Sequence, residues 1–214
     1  MPVNREKYEE LINFFGNRIR LVAVSKNKSI DEIRELYNLG QRDFGENYVQ
    51  ELAEKWKALP GDIRWHFIGH LQTNKVKILV PFIHLIQAVD SLKLLKEINK
   101  EGQKQNKICN CLLQVHIAEE ETKFGFNEHE LAEVCQQLDN YPYVKVEGLM
   151  GMASLTEDKE KVRAEFRKLK KLYDTIPGAS ILSMGMSSDF SIAIEEGSNL
   201  VRIGTLIFGE RLSA

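Results

Sequence analysis

Short apolar runs alternate with longer stretches of helical spacing along this chain. Several of the runs are continuously apolar, which is typical of parallel strands covered on both faces. They predict eight strands, at Leu21–Ser25, Asp43–Asn47, Trp65–Ile68, Leu85–Asp90, Cys111–Ile117, Val144–Met150, Ile181–Met184 and Leu200–Gly204. The pattern therefore predicts an α/β protein with a mainly parallel sheet.

The intervening stretches carry helix signals. Ser29 and Glu32 match a capping box, and Gly40 indicates the end of that helix. A further helix is predicted before the first strand, over Tyr8–Ile19, and the longest one over Lys159–Thr175. Another helix is predicted after an Asn127 cap, with an inner face of Leu131, Val134, Cys135 and Leu138.

Eight alternating strand–helix units favour a closed (β/α)8 barrel of the TIM type over an open doubly wound sheet. No Gly-x-Gly-x-x-Gly follows the first strand, which also disfavours the open dinucleotide-binding fold. Because no linker or shift in composition divides the chain, we expect residues 1–214 to form one domain. About ten residues follow the last strand, enough for one short helix and too few for a C-terminal β domain.

Composition removes several classes of function. With 29 Lys+Arg against 31 Asp+Glu, the net charge of −2 argues against nucleic acid as the main partner. No apolar run approaches the length of a membrane span, and the charged N-terminus lacks a signal-peptide core. Cys109, Cys111 and Cys135 form no disulfide framework, and the first two are predicted to share one face of a strand. We therefore expect free thiols and a cytoplasmic protein.

Lys26 is the first candidate for chemistry, because it follows the first strand directly. In a (β/α)8 barrel, functional groups gather at the carboxyl ends of the strands. Partial desolvation there, with like-charge repulsion from Lys28, would favour the neutral amine that a Schiff base requires. The alternative interpretation is a surface lysine that begins a loop.

The loops after the last two predicted strands form a second candidate site. They contain the segments 183–187 (Ser-Met-Gly-Met-Ser) and 202–205 (Arg-Ile-Gly-Thr). Small residues let backbone amides approach a phosphate, and hydroxyls add further donors. A phosphate site opposite a Schiff-base lysine is what pyridoxal phosphate needs. The alternative is that these glycines and serines only form turns.

Histidines give weaker signals. His66 lies within an apolar strand, where a hydrogen-bonded core residue is more common than a catalyst. His66 and His70 predict no metal site, since no third ligand lies at a recognisable spacing. The remaining histidines show no mutual pattern; they are His84, His116 and His129.

Six motifs together resemble one family, the pyridoxal phosphate homeostasis proteins (the YggS/PROSC family). In chain order they are Val22-Ala23-Val24-Ser25-Lys26, Phe44-Gly45-Glu46-Asn47-Tyr48, the segment from His66 to Lys75 (HFIGHLQTNK), Gly148-Leu149-Met150, Leu182-Ser183-Met184-Gly185-Met186-Ser187 and Val201-Arg202-Ile203-Gly204-Thr205. The resemblance covers nearly the whole chain in the right order. It implies a monomeric barrel like the N-terminal domain of alanine racemase, which is fold type III among pyridoxal phosphate proteins.

The resemblance also implies roles for individual residues. Lys26 matches the lysine that forms the Schiff base, and Arg202 matches the arginine that faces the pyridine nitrogen. Asn47 matches a position at the cofactor's edge. The positions implied for the phosphate are Ser187, Gly204 and Thr205, with Ser183 nearby, and those implied for the pocket walls are His66 and Met150. One departure is His116, where the family usually has asparagine, although the Lys-x-Gly pattern persists at Lys123-Phe124-Gly125.

The family's role is to keep free pyridoxal phosphate low and to support its delivery to apoenzymes through transient contacts. An arginine beside the ring nitrogen disfavours protonation of the ring and weakens it as an electron sink. The resemblance therefore implies a carrier without ordinary amino-acid catalysis. Two alternatives stay open: a weak amino-acid racemase of the alanine racemase type, and a protein-interaction module without cofactor.

Overall fold

A computed structural model describes residues 3–118 and 124–209 of the chain. Its eight parallel strands form a closed barrel in chain order, which confirms the predicted fold and excludes the open sheet. Closure occurs where Arg20–Ala23 pair with Leu200–Ile203. The strands are β1 (Arg20–Val24), β2 (Asp43–Glu46), β3 (Arg64–Phe67), β4 (Leu85–Val89), β5 (Cys109–Val115), β6 (Val144–Gly151), β7 (Ile181–Ser183) and β8 (Leu200–Ile203).

Helices surround the barrel and connect successive strands. They are α1 (Arg5–Phe15), α2 (Ile30–Asn38), α3 (Val49–Ala58), α4 (Val76–Leu79), α5 (Leu92–Lys104), α6 (Glu128–Cys135), α7 (Lys159–Tyr173), α8 (Phe190–Glu195) and α9 (Thr205–Phe208). Short 3-10 turns lie at Thr73–Lys75 and Leu138–Asn140. None of the helices in the described ranges is long and apolar enough to cross a bilayer.

Two apolar layers hold the fold together. The outer layer lies between strands and helices and includes Leu21 and Ala23. The inner layer lies within the barrel and includes Val22. This alternation along β1 follows from the two-residue period of a strand. The residues that the other strands contribute to the inner layer are Leu85, Ala88, Leu112, Met150, Ile181 and Leu200.

Local signals fix several helix ends as predicted. The capping box of Ser29 and Glu32 is present at the start of α2. Asn127 caps α6 in the same manner, with Glu130 as its partner. Cys109 and Cys111 both lie in the outer layer, as expected for alternate residues of one strand.

Two helix predictions are wrong in their limits. The first helix is not Tyr8–Ile19: it begins after an Asn4 cap and ends before Gly16, whose φ of 53° leaves the helical region. Leu138 is not on the inner face of α6, because that helix ends at Cys135 and a separate 3-10 turn begins at Leu138. The leucine still packs against the outer layer, which explains why its spacing resembled a helix position.

Candidate functional site

The predicted lysine and phosphate loops lie on neighbouring strands at one end of the barrel. β8 pairs with β1, and β1 pairs with β2, so Lys26, Asn47 and Gly204 follow adjacent strands. The β8 loop is close to β1: a Cβ atom on Gly204 would lie 3.2 Å from the carbonyl oxygen of Val24. The closed barrel therefore brings together three segments that are far apart in sequence.

The loop that carries Lys26 is held at both ends. Asn27 has a left-handed φ of 59°, and its amide donates to Oε1 of Glu51 over 2.6 Å. The amide of Lys28 donates a hydrogen bond to the carbonyl of Ser25 over 3.0 Å. Lys26 itself is half-buried. If the alternation of β1 continues beyond Val24, its side chain is directed toward the barrel axis, as Val22 is.

A buried ion pair supports this loop from behind. Lys55 donates to Oε1 of Glu46 over 2.8 Å and to the carbonyl of Ser25 over 2.7 Å. The hydroxyl of Ser25 donates to the same carboxylate over 2.6 Å. Burial raises the pKa of Glu46, although Lys55 opposes that shift. The residue before the candidate lysine is therefore fixed by a charged cluster that water barely reaches.

Asn47 follows this carboxylate at the end of β2. Its Oδ1 and Oε2 of Glu46 are buried with no hydrogen-bond partner, the two such side-chain atoms within the described ranges. A Cβ atom on Gly69 would lie 2.4 Å from the carbonyl oxygen of Asn47, so only glycine permits this approach of the β3 loop. Buried polar atoms are rarely left unpaired, and an unpaired one indicates a missing partner such as a ligand.

Backbone amides at the ends of β7 and β8 also lack protein partners. The hydroxyl of Ser187 accepts a hydrogen bond from the amide of Gly204 over 3.3 Å, which joins the two loops. Within the part of the chain that the structure describes, four nearby amides donate to no oxygen; they belong to Ser187, Ser188, Thr205 and Leu206. Convergent amides of this kind form anion sites.

Further polar groups border the loop after β7. Oδ1 of Asp189 accepts from the amide of Met186 over 2.6 Å and stabilises the turn. A cavity of about 680 Å³ adjoins this loop, lined in part by Met152, Ser154 and Ser188.

Arg202 lies inside the barrel beneath these loops. Its Nη1 donates to the hydroxyl and the carbonyl of Ser183, over 2.6 and 3.0 Å, and its Nη2 donates to the carbonyl of Gly151 over 3.0 Å. No carboxylate of the described residues accepts a hydrogen bond from it. Burial lowers the pKa of Arg202 to about 10, so the guanidinium remains charged near neutral pH. It is a buried cation held by neutral oxygens.

The other two predicted pocket residues lie deeper in the barrel. His66 is fully buried, with Nε2 2.9 Å from Oδ1 of Asp43 and Nδ1 2.9 Å from Nε2 of Gln87. It is thus the hydrogen-bonded core histidine that its strand position favoured. Met150 is fully buried in the inner apolar layer. Whether either side chain reaches a ligand stays a prediction.

One histidine contact, between His66 and His84, was not predicted from the sequence. His84 lies edge-on to His66, with ring centroids 5.4 Å apart, and both have ligand atoms within 4.8 Å of Asp43. The carboxylate of Asp43 is already engaged by Arg64 and His66. Burial and the neighbouring His66 lower the pKa of His84 to about 4. The available signal was the position of His84 directly before β4, the neighbour of β3.

Among the described residues of the β5 loop, Phe124 contacts the loop that follows β3. His70 bonds Asp90 through Nδ1 over 2.8 Å and stacks on Phe124 with centroids 4.1 Å apart. Lys123 of the predicted Lys-x-Gly pattern, like Glu119, lies outside the described residues.

Comparisons with known proteins identify the family of this chain. The family model described as "Alanine racemase, N-terminal domain" matches residues 5–212. A pyridoxal phosphate homeostasis protein of Aquifex aeolicus is 45% identical over 201 residues, covering 91% of this chain and 88% of its own. One from Synechocystis is 37% identical over 212 residues, covering 96% and 97%.

Solved structures agree with the fold. PipY of Synechococcus elongatus, solved with pyridoxal phosphate bound, has a TM-score of 0.87 at 33% identity and covers 95% of this chain and 99% of its own. An alanine racemase of Clostridium difficile has a TM-score of 0.80 at 15% identity, which indicates a shared fold alone. This chain corresponds to 57% of that racemase chain.

Proposed function

Because this chain belongs to the alanine racemase N-terminal domain family, and within it to the pyridoxal phosphate homeostasis proteins, we propose that it binds pyridoxal 5′-phosphate at the carboxyl end of its barrel. We further propose that it carries and releases this cofactor rather than catalysing amino-acid reactions with it.

The observation that carries the proposal is unfilled hydrogen-bonding capacity around Lys26. Four backbone amides lack partners at the ends of β7 and β8, and Oδ1 of Asn47 lacks one at the end of β2. The amides suit a phosphate, and an amide side chain suits the polar edge of a pyridine ring. β8 and β2 flank β1, which ends just before Lys26, and β7 is the next strand beyond β8. The donor set therefore fits a phosphorylated aldehyde attached to a lysine.

The site residues would each contact a different part of the bound cofactor. When bound, pyridoxal phosphate supplies an aldehyde open to attack by an amine and a ring that can accept electrons. The amine of Lys26 would hold the aldehyde carbon covalently, with loss of water. Ser187 and the amides of Gly204 and Thr205 would hold the phosphate, with Ser183 just below them. Asn47 would bind the ring edge, and His66 and Met150 would support the pocket floor.

Arg202 favours a carrier over ordinary amino-acid catalysis. Its guanidinium is buried, charged and paired with neutral oxygens, so its positive charge is not cancelled by a hydrogen-bonded carboxylate. A cation of this kind beside the ring nitrogen disfavours a second positive charge there. The ring would then withdraw electrons weakly, which suits storage better than carbanion chemistry.

The cysteines indicate the cellular compartment that we propose. The thiols of Cys109, Cys111 and Cys135 are free, and we propose a reducing cytoplasm as the compartment. We propose that the protein acts as a monomer and meets pyridoxal phosphate-dependent apoenzymes only transiently.

The test is a visible absorption spectrum of the purified protein with pyridoxal phosphate, before and after borohydride, followed by peptide mapping. We expect a violet-region band that borohydride abolishes, with the added mass on Lys26. Lys26→Ala should lose the band and the added mass, because the proposed Schiff base forms on the amine of Lys26. Lys28→Ala is the matched control and should keep both.

Either of two results would contradict the proposal: wild-type protein that stays colourless, or Lys26→Ala that carries cofactor at normal stoichiometry. Isotope exchange at the α-carbon of amino acids decides between carrier and racemase. We expect no exchange above that of free cofactor. Exchange that depends on Lys26 would favour the racemase.

A further inference from the structure

A continuous series of hydrogen bonds crosses the barrel interior and ends at Arg202. Nη1 of Arg202 lies 2.6 Å from Oγ of Ser183, which lies 2.6 Å from Oε1 of Gln87. Nε2 of Gln87 lies 2.9 Å from Nδ1 of His66, whose Nε2 lies 2.9 Å from Oδ1 of Asp43. All five side chains are buried. We call this series the interior chain; it connects β8, β7, β4, β3 and β2.

The protonation of Asp43 and His66 sets the direction of the whole chain. Although burial alone would raise it, hydrogen bonds from Arg64 and His66 hold the pKa of Asp43 well below its ordinary value. The carboxylate therefore only accepts, and Nε2 of His66 carries the proton. Burial lowers the pKa of His66, so the ring is neutral and Nδ1 accepts from the amide of Gln87.

The same logic continues to the other end. With its nitrogen donating to His66, Gln87 must turn its oxygen toward Ser183. The hydroxyl proton of Ser183 then goes to that oxygen, which leaves the Ser183 oxygen as an acceptor for Arg202. In every hydrogen bond of the interior chain, the donor lies on the Arg202 side and the acceptor on the Asp43 side. Hydrogen bonds aligned in one direction polarise and strengthen one another.

From this arrangement we propose that Gln87, His66 and Asp43 are positioning residues for Arg202: they fix Ser183 as an acceptor and thereby hold the guanidinium at one place and orientation in the pocket. The inference deepens the proposed function, because Arg202 matters to the cofactor only if the cofactor binds there. None of these three residues needs to touch the ligand.

Two features distinguish this role from simple core filling. First, the chain links a cation at the pocket to a carboxylate at the opposite end of the barrel, where Asp43 lines a cavity of about 340 Å³ with Arg64 and Arg20. Second, the hydroxyl of Ser183 can rotate and donate elsewhere if Gln87 is absent. A core that only needed volume at position 87 would accept a residue of similar shape without consequence at Arg202.

The experiment compares Gln87→Met with Gln41→Met. Both glutamines are buried and both donate through Nε2, but Gln41 bonds the main-chain carbonyls of Leu21 and Asp43 and no side chain of the interior chain. Methionine keeps similar length and volume, so stability losses should be comparable. The first readout is the side-chain ¹⁵N signal of Arg202 in cofactor-free protein. The second is the affinity for pyridoxal phosphate and the pH titration of its bound absorption band.

We expect Gln87→Met to shift or broaden the Arg202 signal and to weaken cofactor binding about tenfold, the effect of losing one hydrogen bond to a charged group. The band should also titrate at a different pH. Gln41→Met should change neither readout beyond twofold. Asp43→Asn, which preserves shape, is the second variant and should alter the Arg202 signal in the same direction.

The proposal is overturned if Gln87→Met leaves the Arg202 signal and the titration like those of Gln41→Met. If Gln87→Met does not fold, Asp43→Asn decides by the same criteria. The ¹⁵N readout needs no cofactor, so failure of the proposed function appears separately, as wild-type protein that does not bind pyridoxal phosphate.

Discussion

The two ends of this barrel treat buried polar groups in opposite ways. At the amino end, Gln41 bonds two carbonyls, and the hydroxyl of Ser198 lies within 3.2 Å of three carbonyl oxygens, to one of which it can donate. At the carboxyl end, Glu46 and Asn47 each keep a buried oxygen without a partner. The backbone amides beside Ser187 lack partners as well. Among the described residues, the buried side-chain oxygens without a hydrogen-bond partner therefore lie at the carboxyl end of the barrel.

This difference separates stability from ligand binding. A buried donor or acceptor without a partner lowers the unfolding free energy by about 1–3 kcal/mol. The unpaired oxygens at the carboxyl end therefore reduce the stability of the fold. Bonds formed at the amino end offset that cost. Side chains at the amino end should therefore affect unfolding without affecting the cofactor, and those at the carboxyl end should do the reverse. The exceptions are the buried ion pair behind Lys26 and the interior chain that connects Asp43 to Arg202, both of which should affect unfolding and cofactor binding.

The largest expected effect comes from that ion pair. Lys55→Met leaves the carboxylate of Glu46 buried without its cation, which costs about 3 kcal/mol at pH 7. Loss of Lys55 raises the pKa of Glu46 further above its ordinary value. A raised acid pKa stabilises the fold at low pH, and that contribution disappears as pH rises through the folded value. The deficit should thus be smaller at pH 5, measured by urea unfolding.

Lys57→Met is the control, because Lys57 is exposed on the same helix. Its unfolding free energy should lie within about 0.5 kcal/mol of wild type at both pH values. An equal deficit for Lys55→Met at pH 5 and pH 7 would contradict the assigned charge state of Glu46.

The next effect contrasts one amide side chain from each end. Gln41→Met removes the amide group that donates hydrogen bonds to two buried carbonyl oxygens. This change should lower the unfolding free energy by about 2 kcal/mol. Asn47→Ala removes a buried oxygen that has no partner and should therefore not lower the unfolding free energy. Cofactor affinity should respond in the opposite order, with a loss of several-fold for Asn47→Ala alone. Equal stability losses would remove the distinction between the ends.

The smallest effect compares two serines. Ser198→Ala should lower the unfolding free energy by about 1 kcal/mol, the contribution of a typical hydrogen bond, without changing cofactor affinity. Ser187→Ala should leave stability within about 0.5 kcal/mol of wild type and weaken pyridoxal phosphate binding about tenfold. Pyridoxal without phosphate serves as the control ligand, and its affinity for Ser187→Ala should match wild type. A loss for both ligands would place Ser187 away from the phosphate.

Much of the fold was predictable because its signals are local. Apolar runs of four to eight residues located all eight strands, and the capping residues Ser29 and Asn127 located two helix starts. The errors at α1 and α6 concern helix ends, where a single backbone angle or a 3-10 turn decides the limit. For the site, the rule that barrel strands present chemistry at their carboxyl ends selected Lys26 and the loops of Ser187 and Gly204.

By itself, then, the sequence determined the barrel, the end that carries the candidate site and the lysine on which it depends. Only the tertiary structure decided which polar groups meet. Ser183 and Gln87 are 96 residues apart in the sequence, yet the hydroxyl of Ser183 donates a hydrogen bond to Oε1 of Gln87 in the barrel interior. The unpaired oxygens of Glu46 and Asn47 have no local signal either. Periodicity specifies which face a residue takes, whereas its hydrogen-bond partner depends on strand register and barrel closure.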